Sequence, residues 1–346
     1  MRIKKHRFHV ALLLVASALA VASASGGDND RSPANRAVER LDARLDKIVS
    51  PDAVLEKLAK GYHWAEGPVW IKQSPDAGHL LFTDIPDNSV LKWKDGEGIH
   101  LYLKPSGYTG KIPRGGLMGA NGLTVDAAGR LVLCQHGDRR IARQEPDGRW
   151  TTLADRHEGK RLNSPNDAVF KSNGDMYFTD PTYGFPKGLS DPAREMDYCG
   201  VYRLSAADGK LLLLTKELTL PNGIAFSPDE KTLYVAQSDP KQAVWYAFPV
   251  KSDGTLGPKH LLADATHWTA QPRGNPDGLK VDRHGNVFAT GPGGVNVISP
   301  EGVLLGRIHT EKTAANCAFG GDGSILYITA TDCLYRIKTR TKAARF

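Results

Sequence analysis

Cysteine is scarce, with four residues in 346. No CxxC pair and no Cys/His ligand spacing occurs, so a structural zinc centre has nothing to bind it. Cys134, Cys199, Cys317 and Cys333 each lie in or beside an apolar, strand-like run. That leaves two readings open: buried small hydrophobes, or disulfides with three full pairings. There is no GxSxG elbow and no HExxH helix, which removes the serine-esterase and zinc-helix classes. After the first 24 residues no apolar run is long enough to span a bilayer. An excess of one charge is lacking too. Arg2, Lys4, Lys5 and Arg7 supply four units of the formal +7 and no acid accompanies them, so the remainder carries only +3. Its lysines and arginines are interleaved with acids, which gives a nucleic-acid-binding stripe no support.

The opening MRIKKHRFHVALLLVASALAVASASGG has a basic start, an apolar run from Val10, and small residues at Ala22 and Ala24 that match an A-x-A cleavage site. It reads as a secretory signal peptide over residues 1–24, with mature protein in the periplasm or outside the cell and not stably attached to the membrane. Residues 25–52 read as a polar linker followed by an amphipathic helix over Asn35 to Ser50, because Val38, Leu41, Leu45 and Ile48 recur at three- and four-residue spacing and Pro51 follows. This helix is expected outside the main body, residues 53–346. There the run Ala53 to Ala59 would supply an outer strand to the last repeat, closing the ring.

What the chain has in abundance is one repeated phrase: a polar residue, a short apolar strand, a turn, and a second apolar strand. PNGIAFSPDEKTLYVA from Pro221 is its clearest copy. PNDAVFKSNGDMYFTD from Pro165, PDGLKVDRHGNVFATG from Pro276, ANGLTVDAAGRLVLC from Ala120 and ANCAFGGDGSILYITA from Ala315 keep the same beat, and AEGPVW at Ala65 opens the series. The six copies place Glu66, Asn121, Asn166, Asn222, Asp277 and Asn316 at one repeat position, separated by 55, 45, 56, 55 and 39 residues. Short strands at such a period predict an all-β, six-bladed β-propeller with the N-terminal helix outside the disc. Two long insertions, Lys104 to Gly119 and Pro181 to Cys199, are expected as lids at one end of its channel. GPGGVNV at Gly291 continues straight into a strand with no helix after it, so it is not a dinucleotide loop.

The first strand of each blade lines the channel, so the repeat position brings two carboxylates and four amides into one space. Buried charge costs several kcal/mol unless it is paired or bound to a cation. No Lys or Arg stands at an equivalent repeat position, so a divalent cation is the natural counterion. With oxygen donors only, Ca²⁺ ranks first, ahead of Mg²⁺, Mn²⁺ or Zn²⁺. The plainer alternative is that each Asn only forms a turn at a strand entrance.

These phrases, together with RLNSPND from Arg161, YFTDPTYG from Tyr177, LPNGIAFSPDEKTLYVA, NPDGLKVD and NCAFGGDG, resemble the SMP-30/gluconolactonase family over Glu66 to Arg336. That resemblance implies a six-bladed propeller that hydrolyses sugar lactones with one divalent cation. Carried over by motif, Glu66, Asn222 and Asp277 are metal ligands, and Asp277 is also the acid/base. Asn166 matches a position that binds metal or substrate. Some members carry an Arg two residues before that Asn; Ser164 stands there in this chain, with Arg161 further upstream.

Asn121 and Asn166 are further candidates for contact with a hydroxyl-rich substrate. His136 is another, at the channel mouth or else as an exposed turn histidine. Asp180 and Tyr183 are placed to bind sugar hydroxyls, but Asp84 shares the FTD setting of Asp180, which points equally to a repeated structural hydrogen bond. The competing functions are a metal-dependent phosphotriesterase and a non-catalytic periplasmic binding propeller. The pairing of Glu66 with Asp277 argues against the second. Oligomeric state leaves no trace in the sequence.

Overall fold

Six antiparallel sheets, one per repeat, surround a central channel in a computed structural model that describes residues 37–74, 77–112 and 115–345. The leader read over residues 1–24 and the linker up to residue 36 lie outside the described residues. The innermost strands are Ala65–Lys72, Ala120–Val125, Ala168–Phe170, Pro221–Phe226, Leu279–Val281 and Ala314–Gly320, for blades one to six. Each leads outward through three more antiparallel strands. The expected closure is observed: Leu55–Lys60 forms the outer strand of blade six, with Leu55 opposite Ile337 and Lys60 opposite Cys333. A strand before the first ring residue and the last strand of the chain thereby share one sheet.

The stretch expected as a helix over Asn35 to Ser50 differs. Its described part begins with a three-residue strand, Val38–Arg40, that pairs with Leu304–Ile308 as a fifth strand of blade five. One short 3-10 helix, Ala43–Lys47, follows, and the Asp42 side chain accepts the Arg44 N–H. Val38, Leu45 and Ile48 do bury their side chains together, against Val295, Leu305 and Ile308. The spacing therefore marked the buried residues correctly but not the backbone that carries them. The outer edge of blade five offers unpaired backbone groups that an isolated amphipathic helix cannot use.

Apolar side chains fill the wedges between neighbouring blades. Phe288 of blade five meets Phe319 of blade six edge-on at 5.2 Å, and Trp70 of blade one stacks on Tyr327 of blade six at 5.4 Å. All four cysteines are buried free thiols, so of the two readings left open they take the role of small hydrophobes. The channel end remote from the repeat position is an apolar cavity of about 330 Å³, crossed by the tail residues Ala343 to Arg345.

Close packing around the axis explains the glycine that follows four of the six ring residues. A Cβ on Gly67 would lie 2.0 Å from the Asn121 carbonyl oxygen of the next blade, and one on Gly278 would lie 2.0 Å from the Asn316 side chain. Gly122 and Gly223 face Asn166 and Asp277 in the same way. These glycines are therefore spacers between blades, not turn residues. Threonines of the second strands add a polar staple: Thr83 Oγ1 donates to the Asn121 carbonyl at 3.1 Å and Thr179 Oγ1 to the Asn222 carbonyl at 2.7 Å.

Candidate active site

Ring side chains reach the channel because the strands are irregular where they sit. The ladder between first and second strands slips between Glu66 and Val69, Ala120 and Leu123, Pro221 and Ile224, and Ala314 and Asn316. Such bulges re-aim a side chain out of the regular alternation. In blades three and five, Asn166 and Asp277 precede the regular strand altogether.

A cavity of about 350 Å³ at this end of the channel is walled by Glu66, Asn121, Asn166, Asn222 and Asp277. Five of the six repeat positions therefore meet in one space. The sixth, Asn316, is not part of this wall: its Nδ2 donates to Glu66 Oε2 at 3.0 Å. The same oxygen accepts the Gly67 N–H at 2.6 Å. Asn222 Nδ2 donates to Ser238 Oγ at 3.0 Å, and Ser238 Oγ in turn donates to the Pro276 carbonyl. Asp277 hydrogen-bonds to both Asn222 and Glu66.

Electrostatics set this end of the channel apart. Burial pushes Glu66 up to about 7 against the two hydrogen bonds it accepts. Asp277 is raised well above the usual carboxylate range, first by burial and then by the charges of Glu66 and Asp167. Two carboxyl groups in hydrogen-bonding contact hold a proton between them unless a cation takes its place. Asp167 is a third buried carboxylate, next to Asn166, raised by burial and opposed by Lys280, whose Nζ lies 3.8 Å away. No Lys or Arg stands at the ring position itself, but Lys280 brings a cation close to Asp167. Lys280 stands three residues after Asp277, inside the same phrase, at a place that Val169 and Ala225 fill in blades three and four, so alignment on the ring residue gave no sign of it.

Tyr183 lines the cavity as expected, and burial raises its hydroxyl above its ordinary value while Ser238 and Asn222 hydrogen-bond to it. His136 and Asp180 do not line it. His136 is fully buried because the first insertion folds across its turn: Gly137 N–H bonds the Met118 carbonyl and Asp138 N–H the Gly107 carbonyl. The second insertion packs over it through Gly184. Asp180 is equally buried, accepting the N–H groups of Asn163 at 2.7 Å and Ser164 at 2.8 Å. Asp84 does the same for His63 and Trp64 in blade one. In both blades the FTD aspartate anchors the segment that leads to the ring residue. Arg161 also turns away, with Nη2 donating to the Asp138 carbonyl at 2.6 Å.

The sequence reading missed Trp64, Ile85, Leu117, Ser238, Arg273 and Thr313 in the cavity wall. Trp64 and Arg273 stand shortly before a ring residue and Leu117 lies near the end of the first insertion, so proximity to the phrases was their only signal. Among the described residues no cluster of three or more His, Cys, Asp or Glu side chains is arranged to hold a metal. The ring instead offers two carboxylates and amide oxygens, a donor set that suits a hard cation.

Comparison with known proteins agrees with this geometry. Over 311 residues the chain is 37% identical to the gluconolactonase of Zymomonas mobilis, covering 88% of this chain and 86% of that one. A solved gluconolactonase from Xanthomonas campestris superposes with a TM-score of 0.75 at 34% identity, over 87% of this chain and 94% of its own. A regucalcin from Agrobacterium tumefaciens, described as a calcium-binding protein, shares the fold at a TM-score of 0.65 and 17% identity, over 85% and 98% of the two chains. Residues 64–332 match the profile of the SMP-30/gluconolactonase/LRE-like region, and the chain belongs to that family.

Proposed function

We propose that this chain opens the ester ring of a sugar lactone at the channel mouth, with one divalent cation held by Glu66, Asn166, Asn222 and Asp277. The observation that carries the reading is the contact between Glu66, which is buried, and Asp277, which opens on the cavity, in a ring otherwise made of amides. A hard cation fits that position: it replaces the shared proton, and Asn166 and Asn222 add neutral oxygens without adding charge. Ca²⁺ is the first choice for an all-oxygen donor set. The gluconolactonase relatives support the substrate class.

When bound, the cation supplies Lewis-acid stabilisation of the negative charge that develops on the lactone carbonyl oxygen. The protein does the rest. Asp277, partly exposed at the cavity, takes a proton from the attacking water as the new C–O bond forms. It returns that proton to the ring oxygen as the ester C–O bond breaks, so the product is the open-chain hydroxy acid. Asn121 and Tyr183 supply polar wall for sugar hydroxyls, and Trp64, Ile85 and Leu117 supply apolar wall that narrows the mouth and limits bulk water. Glu66 is held by Gly67 and Asn316 and so keeps its orientation through the cycle.

The test is a hydrolysis screen of purified protein over aldonolactones and phosphotriesters, with and without chelator and with each candidate cation added back. Chelator-sensitive opening of at least one aldonolactone is expected. Cleavage of phosphotriesters with no lactone opened would replace this reading.

A further inference from the structure

A second cavity, of about 460 Å³, opens beside the channel mouth, with His267, Trp268 and Thr269 in its wall. Arg273, Gly274 and Asn275 belong to the walls of both cavities. The segment running from the outer strand of blade four, His260–Asp264, to Asp277 therefore forms the ridge between them. That ridge is anchored through its backbone: Thr313 Oγ1 donates to the Arg273 carbonyl at 2.8 Å, and the Gly293 N–H to the Pro272 carbonyl at 3.0 Å. Arg273 is exposed. Among the described residues it is the one basic side chain in the wall of the channel-mouth cavity.

Arg273 and Asp277 share the wall of the channel-mouth cavity, so a lactone seated with its ester against Asp277 lies in the space that Arg273 also lines. A guanidinium there presents a planar fork of donors that matches carboxylate, phosphate or sulfonate. With the proposed cation engaged by the ester at the ring, Arg273 is the basic side chain of the wall left to pair with an anion elsewhere on the substrate. Asn275, His267 and Thr269 add polar groups around it. Ligand sites commonly occupy about 300–1,000 Å³, and either cavity falls in that range, so the second adds room beyond a single sugar ring.

We propose that the two cavities are halves of one cleft, and that Arg273 selects lactones bearing an anionic group at the end remote from the ester. This rests on the lactonase reading above. The experiment compares kcat and KM for D-glucono-1,5-lactone with those for its counterparts carrying a carboxylate, a phosphate or a sulfonate at C6. It uses the metal-loaded parent, Arg273→Gln and Arg273→Lys. The parent is expected to favour at least one C6 anion tenfold or more in kcat/KM, and the arm that wins identifies the anion. Arg273→Gln should lower kcat/KM for that substrate about 10- to 100-fold more than for the neutral lactone, chiefly through KM, and Arg273→Lys should recover part of the loss. Equal or poorer use of all three anions by the parent overturns the proposal, as does an equal fall for neutral and anionic lactones in Arg273→Gln. If no lactone is opened, the lactonase reading fails by itself. The subsite is then judged by calorimetric binding of 6-phosphogluconate against gluconate: selective weakening of the former by tenfold in Arg273→Gln supports it, and equal binding of the two by the parent overturns it.

Discussion

Asn316 and Glu66 stand 250 positions apart in the chain and meet across the junction of the last blade with the first, Nδ2 to Oε2 at 3.0 Å. With the Gly67 N–H on the same oxygen, this bond fixes the Glu66 carboxylate while Oε1 takes part in neither contact. The repeat position of blade six thus acts beneath the ring that the other five line. Partners that orient a metal ligand typically contribute 10- to 100-fold in affinity or activity. Asn316→Leu is accordingly expected to weaken the cation about 10- to 100-fold in a competition titration against a chelating dye. Unchanged affinity in the folded variant would show that Glu66 is held without it.

Asp277→Asn keeps an oxygen at the site but removes the proton acceptor. Turnover of aldonolactones should fall by roughly two or more orders of magnitude, the usual scale for loss of acid/base catalysis, with part of the metal retained. Parent-like turnover by a variant shown to carry metal would remove Asp277 from the role assigned to it.

Cation binding should also stabilise the fold, because it relieves the contact between Glu66 and Asp277 that exists only in the folded chain. At a free concentration one hundred times the dissociation constant the gain is about 2.7 kcal/mol. Calorimetric melting of stripped protein, with cation then added back, should show a midpoint that rises with concentration. A midpoint that does not move in protein that takes up the metal contradicts the assigned ligand set.

Asp180 should govern stability more than substrate affinity. Burial raises its pKa to about 7 despite the two backbone N–H bonds that favour the ionised form. Its folded value lies above the unfolded one, so the folded state binds this proton more tightly. The contribution is complete below about pH 4 and is lost as pH rises through about 7. Asp180→Asn should flatten this decline in urea midpoints across that window. It should also lower stability by about 1–3 kcal/mol at low pH, where one of the two N–H groups then faces an amide donor. A tenfold rise in KM with no change in stability would restore Asp180 as a substrate contact.

Export is the remaining proposal. If residues 1–24 are a cleaved leader, mass spectrometry of protein from the native host should find the mature chain beginning near Ser25. A cytoplasmic pool that retains Met1 to Ala24 would contradict it.

The blades, their number and the ring could be read from sequence because each is written locally. A strand, a turn and the polar residue before them lie within about sixteen positions, and the phrase recurs six times. Glu66, Asn121, Asn166, Asn222 and Asp277 therefore converge as the phrases imply. The outer strand of blade six was equally legible, since a closed ring must join its ends. Tertiary structure alone decided what depends on distant partners. Asn316 carries the same signal as Asn222 yet serves Glu66. His136 sits in a turn and Asp180 at a strand end, and both look exposed until two insertions, neither of them periodic, fold over one and a backbone segment closes on the other. Val38 to Arg40 becomes a strand because Gly306, Arg307 and Ile308 present an open edge to it, and nothing in its own spacing records that edge. Arg273 lies outside the repeated phrase and Lys280 within it at a place the other copies fill with uncharged residues, so in both cases the packing of neighbouring blades places the side chain, and that packing is a property of the closed ring.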